Sequence, residues 1–246
     1  MGQAAALTYA LTDCGFSKRG RKGMDQRIFL SALIYIGKTG CWWCHLPQEF
    51  GKFKTIHSRY TNWAKRGVFD TLFELVRDSD DSSVLRFLDS SFVKCSICSL
   101  TGICSESERV IGKTKGGHTT KVVAVCDTKQ RVHACRIDPG NDSECKVAER
   151  IELTGRDKII VGDKGFSSKK LRDLFEKAGH RHCIAQKCNE KTPAAFNKSY
   201  YRKRHHIENI FAKMGRWTRL ELRRERLSYN FNSFVKLWAI GTWVEF

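Results

Sequence analysis

The chain has 246 residues, of which 41% are hydrophobic, so it is long enough for one large domain or two smaller ones and too apolar for wholesale disorder. Lysine and arginine outnumber aspartate and glutamate by 44 to 26, and the resulting net charge of +18 favours a polyanionic partner such as nucleic acid. The sequence lacks an 18-residue apolar run and a secretory signal, and it has an odd count of 11 cysteines, so we expect a cytoplasmic protein with reduced thiols and no membrane span.

Residues 1–78 predict a small all-helical domain of the helix-turn-helix type. Residues 1–23 form a basic lead-in, and residues 24–78 carry helical patterns. In the stretch Thr55–Arg66 one apolar helix face is formed by residues at spacings of four and three, namely Ile56, Tyr60 and Trp63. A glycine-containing turn followed by a basic helix is typical of DNA-binding helix-turn-helix units, although simple three-helix bundles share the pattern. The side chains predicted to contact DNA from this helix are Arg59, Lys65 and Arg66.

From about residue 84 the hydrophobic period changes to that of strands. A strand over 84–93 is followed by a hairpin over 118–137. Strands then alternate with helices: strands over 157–162 and 181–186, and helices over about 143–153, 167–178, 199–214 and 226–243. This order predicts an α/β fold with a mixed β-sheet and flanking helices over residues 79–246.

Three acidic residues are distinguished by their place in these elements. Asp89 ends an apolar strand pattern, and Asp163 ends the apolar run Ile159–Gly162. Glu208 lies in the predicted helix over 199–214. Carboxylates that converge repel each other unless a cation lies between them, and a set of hard oxygen ligands suits Mg²⁺ or Mn²⁺. The pattern therefore predicts a divalent metal site.

Four motifs in a fixed order resemble the DDE transposases of bacterial insertion sequences, most closely the IS5 (IS4-like) group. They are Leu88–Ser91, Gly116–Lys121, Gly162–Phe166 and Tyr201–Glu208, and the resemblance spans roughly residues 23–243. It implies a ribonuclease-H-like catalytic core, with the first Asp on the first strand, the second Asp at the end of the fourth strand and the Glu on a later helix. It carries Asp89, Asp163 and Glu208 over as the catalytic, metal-binding triad.

The family also has a signature around its last acid: Tyr, two residues, Arg, three residues, Glu, six residues, Lys. Tyr201, Arg204 and Glu208 match it and would share one helix face, so that Tyr201 and Arg204 can contact DNA beside the metal. The last position is Gly215, a departure that bears on strand transfer more than on metal binding. Two further candidate DNA contacts, which can equally be ordinary surface lysines, are Lys121 and Lys164.

The resemblance implies a DNA transposase that binds the terminal inverted repeats of its element and carries out strand cleavage and strand transfer. Two ions of Mg²⁺ or Mn²⁺ about 3.5–4 Å apart can stabilise both the attacking and the leaving oxygen at phosphorus. Because an element has two ends, we expect a homodimer or larger assembly on double-stranded DNA, both element ends and target. Two alternatives remain: a catalytically silent, transposase-derived DNA-binding regulator, and a ribonuclease-H-like nuclease that does not join strands.

Overall fold

A computed structural model describes residues 24–78, 80–187 and 196–244 of the chain. The basic lead-in predicted over residues 1–23 lies outside the described residues. The chain divides into two compact units. Of the described residues, the first, the helical unit, contains 24–78, 96–109 and 215–244. The second, the sheet unit, contains the described residues 80–95, 110–187 and 196–214.

The described elements are named here in chain order. The α-helices are α1 (Gln26–Thr39), α2 (Phe53–Lys65), α3 (Val68–Arg77), α4 (Ile97–Leu100), α5 (Glu106–Arg109), α6 (Glu144–Ala148), α7 (Lys169–Lys177), α8 (Lys198–Arg202), α9 (His205–Gly215), α10 (Thr218–Glu221) and α11 (Ser228–Gly241). The strands are β1 (Leu85–Cys95), β2 (Gly112–Thr114), β3 (Gly117–Cys126), β4 (Val132–Pro139), β5 (Ile159–Gly162), β6 (Arg181–Ile184) and β7 (Leu222–Arg223). Single turns of 3₁₀-helix cover Trp43–His45, Gln48–Phe50 and Lys164–Phe166.

The helices predicted over residues 24–78 are confirmed. Helix α1 begins after Asp25, whose carboxylate accepts a hydrogen bond from the Arg27 amide at 2.7 Å. It ends at Gly40, which adopts the left-handed conformation that favours glycine. On α2 the predicted apolar face is buried, with Ile56, Tyr60 and Trp63 each at most 1% exposed. The unit is therefore a packed helical bundle.

The C-terminal helix α11 packs into this same bundle. The Tyr60 hydroxyl donates a hydrogen bond to the Asn230 carbonyl, and the Asn232 side-chain amide donates to Asp70 at 3.2 Å. The sequence assigns α11 to the catalytic part of the chain, whereas its contacts group it with the N-terminal helices. The functional division between residues 1–78 and 79–246 stays a prediction.

The sheet unit is built on a mixed β-sheet, as predicted. Its strand order is β2-β3-β1-β5-β6, with β4 also paired to β3. Strand β3 pairs antiparallel with β1, β2 and β4, whereas β5 pairs in parallel with β1 and β6. Helices cover the sheet, so β5 is buried at every residue. The core beneath the site includes Leu88, Val123, Val125, Ile160, Phe166 and Leu171.

Three details differ from the sequence prediction. The short strand β2 was not predicted, so Asp163 follows the fifth strand of the sheet rather than the fourth. Strand β1 continues past Asp89 to Cys95, because β3 pairs with it along that whole length. Helix α6 is shorter than the predicted helix over 143–153. No helix within the described ranges is long and apolar enough to cross a bilayer.

Candidate active site

The register of the sheet brings Asp89 and Asp163 side by side. Strands β1 and β5 pair in parallel, and their last matched residues are Leu88 and Gly162. Asp89 directly follows Leu88, and Asp163 directly follows Gly162. The two carboxylate side chains therefore leave the backbone at the same end of the paired segment. Asp89 does not end its strand, as the sequence suggested, because its backbone continues in register opposite Ala124 of β3.

Glu208 comes from α9, which does not continue from α8. The sequence predicts one helix over 199–214, but the structure has a tight turn at Lys203 and Arg204 between two helices. The Arg204 amide donates to the Tyr201 carbonyl at 3.0 Å, a three-residue spacing that tightens the chain at this point. Tyr201, Arg204 and Glu208 therefore do not share one continuous helix face, and the turn directs Arg204 toward the acidic residues.

The guanidinium of Arg204 contacts all three acidic residues. Its Nη2 atom lies 2.9 Å from Asp89 Oδ2 and 3.3 Å from Glu208 Oε1, and its Nη1 atom lies 3.4 Å from Asp163 Oδ1. The Arg204 side chain is 13% exposed, compared with 19% for Asp89, 38% for Asp163 and 61% for Glu208. The three predicted triad residues therefore converge around one positive charge.

The two aspartates differ in their affinity for a proton. Burial raises the pKa of Asp89, although the Ser90 amide at 2.8 Å and the Arg204 charge oppose it. Burial also acts on Asp163, but hydrogen bonds from the Lys164 amide and the Tyr201 hydroxyl lower the pKa of that carboxyl overall. Asp163 is therefore the more readily ionised of the two.

Tyr201 is a donor to this site. Its hydroxyl donates to Asp163 Oδ1 at 2.9 Å. Burial, and then the neighbouring Asp163 charge, raise the pKa of the Tyr201 hydroxyl. Tyr201 consequently keeps its proton at neutral pH and remains a hydrogen-bond donor.

The donor set fits a hard divalent cation. Carboxylate oxygens are the ligands that Mg²⁺ and Mn²⁺ prefer, and the guanidinium shows where the site requires positive charge. The Arg204 guanidinium contacts each carboxylate, and among the described residues no three His, Cys, Asp or Glu side chains are close enough together to hold one ion. The residues that could hold a metal are Asp89, Asp163 and Glu208, with Arg204 turned away from them.

Two family models match the chain. A family model described as "Transposase DDE domain" matches residues 81–240, which is more than half of the chain. The chain belongs to the DDE transposase family. A second model, DUF4096, described as a transposase family of the IS4/5 type, matches residues 7–73. Membership of the DDE family implies dependence on a divalent metal.

Two similar proteins illustrate the relationship. The uncharacterized protein y4sN of Sinorhizobium fredii (strain NBRC 101917 / NGR234) is 31% identical over 85 residues, which cover 32% of this chain and 67% of that protein. The piggyBac transposase in a synaptic complex with hairpin DNA superposes with a TM-score of 0.57 at 10% identity, over 98% of this chain and 70% of the piggyBac chain. The second likeness concerns the fold, and it confirms the predicted ribonuclease-H-like architecture of the transposase.

The two predicted lysine contacts occupy different settings in this transposase. Lys164 is exposed in the turn directly after Asp163. Lys121 is only 3% exposed: its Nζ donates to the Asp142 carbonyl at 2.6 Å and lies 4.8 Å from the centre of the Phe92 ring. Lys121 is thus not the surface lysine that the sequence suggested, and its contacts hold the loop after β4. Phosphate contact by Lys164 stays a prediction.

Of the three predicted DNA contacts on α2, Arg59 is engaged inside the helical bundle. Its guanidinium lies 4.4 Å from the Phe29 ring centre and 4.8 Å from that of Trp63, and it donates to the Met24 carbonyl at 3.1 Å. Arg59 lies four residues before Trp63, and residues at that spacing are neighbours on a helix surface. The sequence therefore already places the Arg59 side chain next to the apolar face of α2. By contrast, Lys65 and Arg66 are exposed at the end of α2.

Sequence reasoning missed a fourth acidic residue beside the triad. Glu144 opens α6, and its Oε1 atom accepts a hydrogen bond from the Ser90 hydroxyl at 2.9 Å. Ser90 directly follows Asp89 in β1. Around Glu144 the sequence shows only a turn followed by a helix cap. Acidic residues are common in the first turn of a helix because they interact favourably with the helix dipole, so Glu144 did not stand out as a functional residue.

Proposed function

We propose that this transposase serves an insertion sequence, binds the terminal inverted repeats of its element and carries out strand cleavage and strand transfer. The observation that carries the proposal is the convergence of Asp89, Asp163 and Glu208 on the Arg204 guanidinium, in a chain that belongs to the DDE family. No observation favours the silent regulator, because every member of the triad is present and converges on the same point.

Asp89, Asp163 and Glu208 would hold the divalent metal, which we propose to be two ions of Mg²⁺ or Mn²⁺. When bound, the ions would supply the positive charge that stabilises the attacking and leaving oxygens of an in-line displacement. Asp89 is the most buried of the three carboxylates and starts beside Asp163, so these two side chains would form the inner part of the ligand set. Tyr201 orients the Asp163 carboxylate through its 2.9 Å hydrogen bond.

Arg204 would serve a second partner when the metal site is filled. Its guanidinium supplies the positive charge between the carboxylates here, and it would be available to another anion if metal supplied that charge. A DNA phosphate suits it, because two parallel N–H donors match two phosphate oxygens. Lys164, exposed beside Asp163, adds positive charge along the same strand of DNA. These roles bring DNA to the carboxylates without any covalent bond to the protein.

The assembly contains at least two copies of the chain on double-stranded DNA. An element has two ends that must be held together before both are joined to a target. The piggyBac relative is a synaptic complex with hairpin DNA, which is consistent with such an arrangement. We therefore propose a homodimer or larger complex, formed on the element ends.

The exposed cations at the end of α2 are expected to contact DNA phosphates. Replacing both Lys65 and Arg66 with Ala should make the slope of log K against log salt shallower by about 2, because each lost contact removes about 0.9. Fluorescence anisotropy with element-end DNA at several salt concentrations measures the slope. Arg59→Ala is the comparison: it should lower the free energy of unfolding through lost packing while the slope stays unchanged. An unchanged slope in the Lys65/Arg66 variant would remove α2 from the DNA interface.

Gly215 offers a gain-of-function test. It lies two helical turns after Glu208 on α9, and a Cβ built there meets nothing within 4 Å. Gly215→Lys restores the family lysine and should raise affinity for element-end DNA about three- to tenfold, the effect of about one added charged contact. Gly215→Gln, similar in length but uncharged, controls for helix propensity. Equal affinities of the Lys and Gln variants would contradict a phosphate contact at this position.

The experiment that tests the proposed function uses pre-cleaved ends. Labelled DNA from each flank of the coding sequence, ending in a 3′-hydroxyl or a 3′-deoxy nucleotide, is incubated with the full chain, a target plasmid and Mg²⁺ or Mn²⁺. We expect joining only from the 3′-hydroxyl ends. Cleavage of intact DNA without joining would instead identify a nuclease, and binding with neither reaction would identify a DNA-binding regulator.

A further inference from the structure

We propose that Glu144 is a positioning residue of the catalytic centre, which fixes the strand bearing Asp89 relative to the turn that follows Asp163. The inference rests on the proposed function, because it concerns the same metal site. Glu144 lies outside all four motifs by which the sequence resembles the family. Its two contacts, one on each acid-bearing segment, carry the argument.

The first contact is made with strand β1. The Ser90 hydroxyl donates to Glu144 Oε1 at 2.9 Å, while the Ser90 amide donates to Asp89 Oδ1 at 2.8 Å. Ser90 therefore donates one hydrogen bond to Glu144 from its side chain and one to Asp89 from its backbone. A hydrogen bond to an ionised acceptor is about twice as strong as a neutral one, so this link restricts the position of Ser90 and of the neighbouring Asp89.

The second contact is made with the turn Lys164–Phe166 after Asp163. A Cβ built on Gly165 would lie 1.8 Å from Glu144 Oε2, so the carboxylate rests directly against the Gly165 backbone. The neighbouring Cys145 thiol donates to the Gly165 carbonyl at 3.3 Å, which holds the start of α6 against the same turn. A methyl group at position 165 would therefore displace the Glu144 carboxylate from this turn.

Glu144 also adds negative charge beside the metal ligands. The Ser90 bridge places the Glu144 carboxylate close to that of Asp89. A fourth carboxylate near the triad strengthens its attraction for a divalent cation. Residues that orient metal ligands typically change metal affinity by about 10- to 100-fold when they are removed.

The test measures Mn²⁺ affinity of the DNA-free full chain by electron paramagnetic resonance. Glu144→Ala should weaken Mn²⁺ binding about 10- to 100-fold. Glu144→Gln keeps an acceptor for the Ser90 hydroxyl and should recover part of that loss. Glu152→Ala, an exposed acid past the end of α6, makes the same charge change and should bind Mn²⁺ as the native chain does. In strand joining, Glu144→Ala should lower kcat and leave KM for DNA unchanged, because Glu144 acts through Ser90 and not through DNA.

The Glu144→Ala variant could lose Mn²⁺ affinity simply because it folds poorly. A double-mutant cycle with Gly165→Ala distinguishes that general effect from loss of the specific contact between the two residues. Gly165→Ala alone should weaken Mn²⁺ binding, since the new methyl group displaces the Glu144 carboxylate. In the Glu144→Ala background the same substitution should have little further effect. Additive losses would overturn the proposal, as would Mn²⁺ affinity within about twofold of native in Glu144→Ala, well below the expected change. A native chain that fails to bind Mn²⁺ would instead overturn the proposed function itself.

Discussion

Replacing Asp89 or Asp163 with Asn is expected to lower the rate of strand joining at least about a thousandfold, equivalent to about 4 kcal/mol of transition-state stabilisation. Both carboxylates lie within 3.4 Å of the Arg204 guanidinium, at the edge where β1 and β5 stop pairing. An amide keeps the size of the side chain but loses the charge that holds a divalent ion. DNA binding, which depends on cationic side chains, should remain.

Two measurements check this prediction. Single-turnover joining rates with element-end DNA report the loss of reaction, and thermal unfolding reports metal binding, since Mn²⁺ should raise the Tm of the native chain more than that of either variant. Asp173→Asn, at an exposed position on α7, is the matched control and should behave as the native chain does. A variant that joins strands within about tenfold of the native rate would remove that aspartate from the catalytic centre, because tenfold is only about 1.4 kcal/mol.

Asp127→Asn is expected to lower the free energy of unfolding by about 1–3 kcal/mol at pH 7, the typical cost of leaving buried hydrogen-bonding groups short of an ionised partner. Asp127 is fully buried in the turn between β3 and β4. Its Oδ2 atom accepts hydrogen bonds from Arg131 Nη2 at 2.8 Å and Arg131 Nε at 2.9 Å, and lies 3.0 Å from His133 Nε2. The amide would remove two of the carboxylate contacts of Arg131, which keeps its ion pair with Asp80 at 2.7 Å.

The loss should depend on pH in a defined direction. Burial opposes ionisation of Asp127, but hydrogen bonds from His133 and Arg131 lower the pKa of its carboxyl overall. A lowered pKa in the folded state means that the stabilisation is fully present above the unfolded value, about 3.9, and is lost as pH falls below it. Urea unfolding of both chains at pH 7, 5 and 3 should therefore show a difference that shrinks only at the lowest pH. A difference of under about 1 kcal/mol at pH 7, or one that is constant with pH, would contradict the role of this carboxylate.

The convergence of Asp89, Asp163 and Glu208 was predictable from sequence because its signals are local. Asp89 and Asp163 each follow an apolar strand pattern, and the parallel pairing of β1 with β5 then places them together. Glu208 was predictable from its spacing to Tyr201 and Arg204 within one motif. The contact of Arg204 with all three carboxylates was not, because it depends on the tight turn between α8 and α9, where the pattern indicated one helix.

Contacts across long stretches of sequence were likewise beyond prediction. Glu144 and Ser90 are 54 residues apart, and neither has a local pattern that indicates the other. The hydrogen bond from Tyr60 to Asn230 spans 170 residues and groups α11 with the N-terminal helices. Lys121 was expected at the surface, because lysine side chains are usually exposed. Its burial against the Asp142 carbonyl also depends on a contact that is distant in sequence.

The central claim is that Asp89, Asp163 and Glu208 form a metal-dependent site for DNA cleavage and joining. Its most direct test is the reaction of intact, labelled element-end DNA with a target plasmid, with and without Mg²⁺ or Mn²⁺, for the native chain and Asp163→Asn. We expect the native chain to cut and join only with metal, while Asp163→Asn binds the same DNA and does neither. Equal reaction by both chains, or reaction by the native chain without metal, would contradict it.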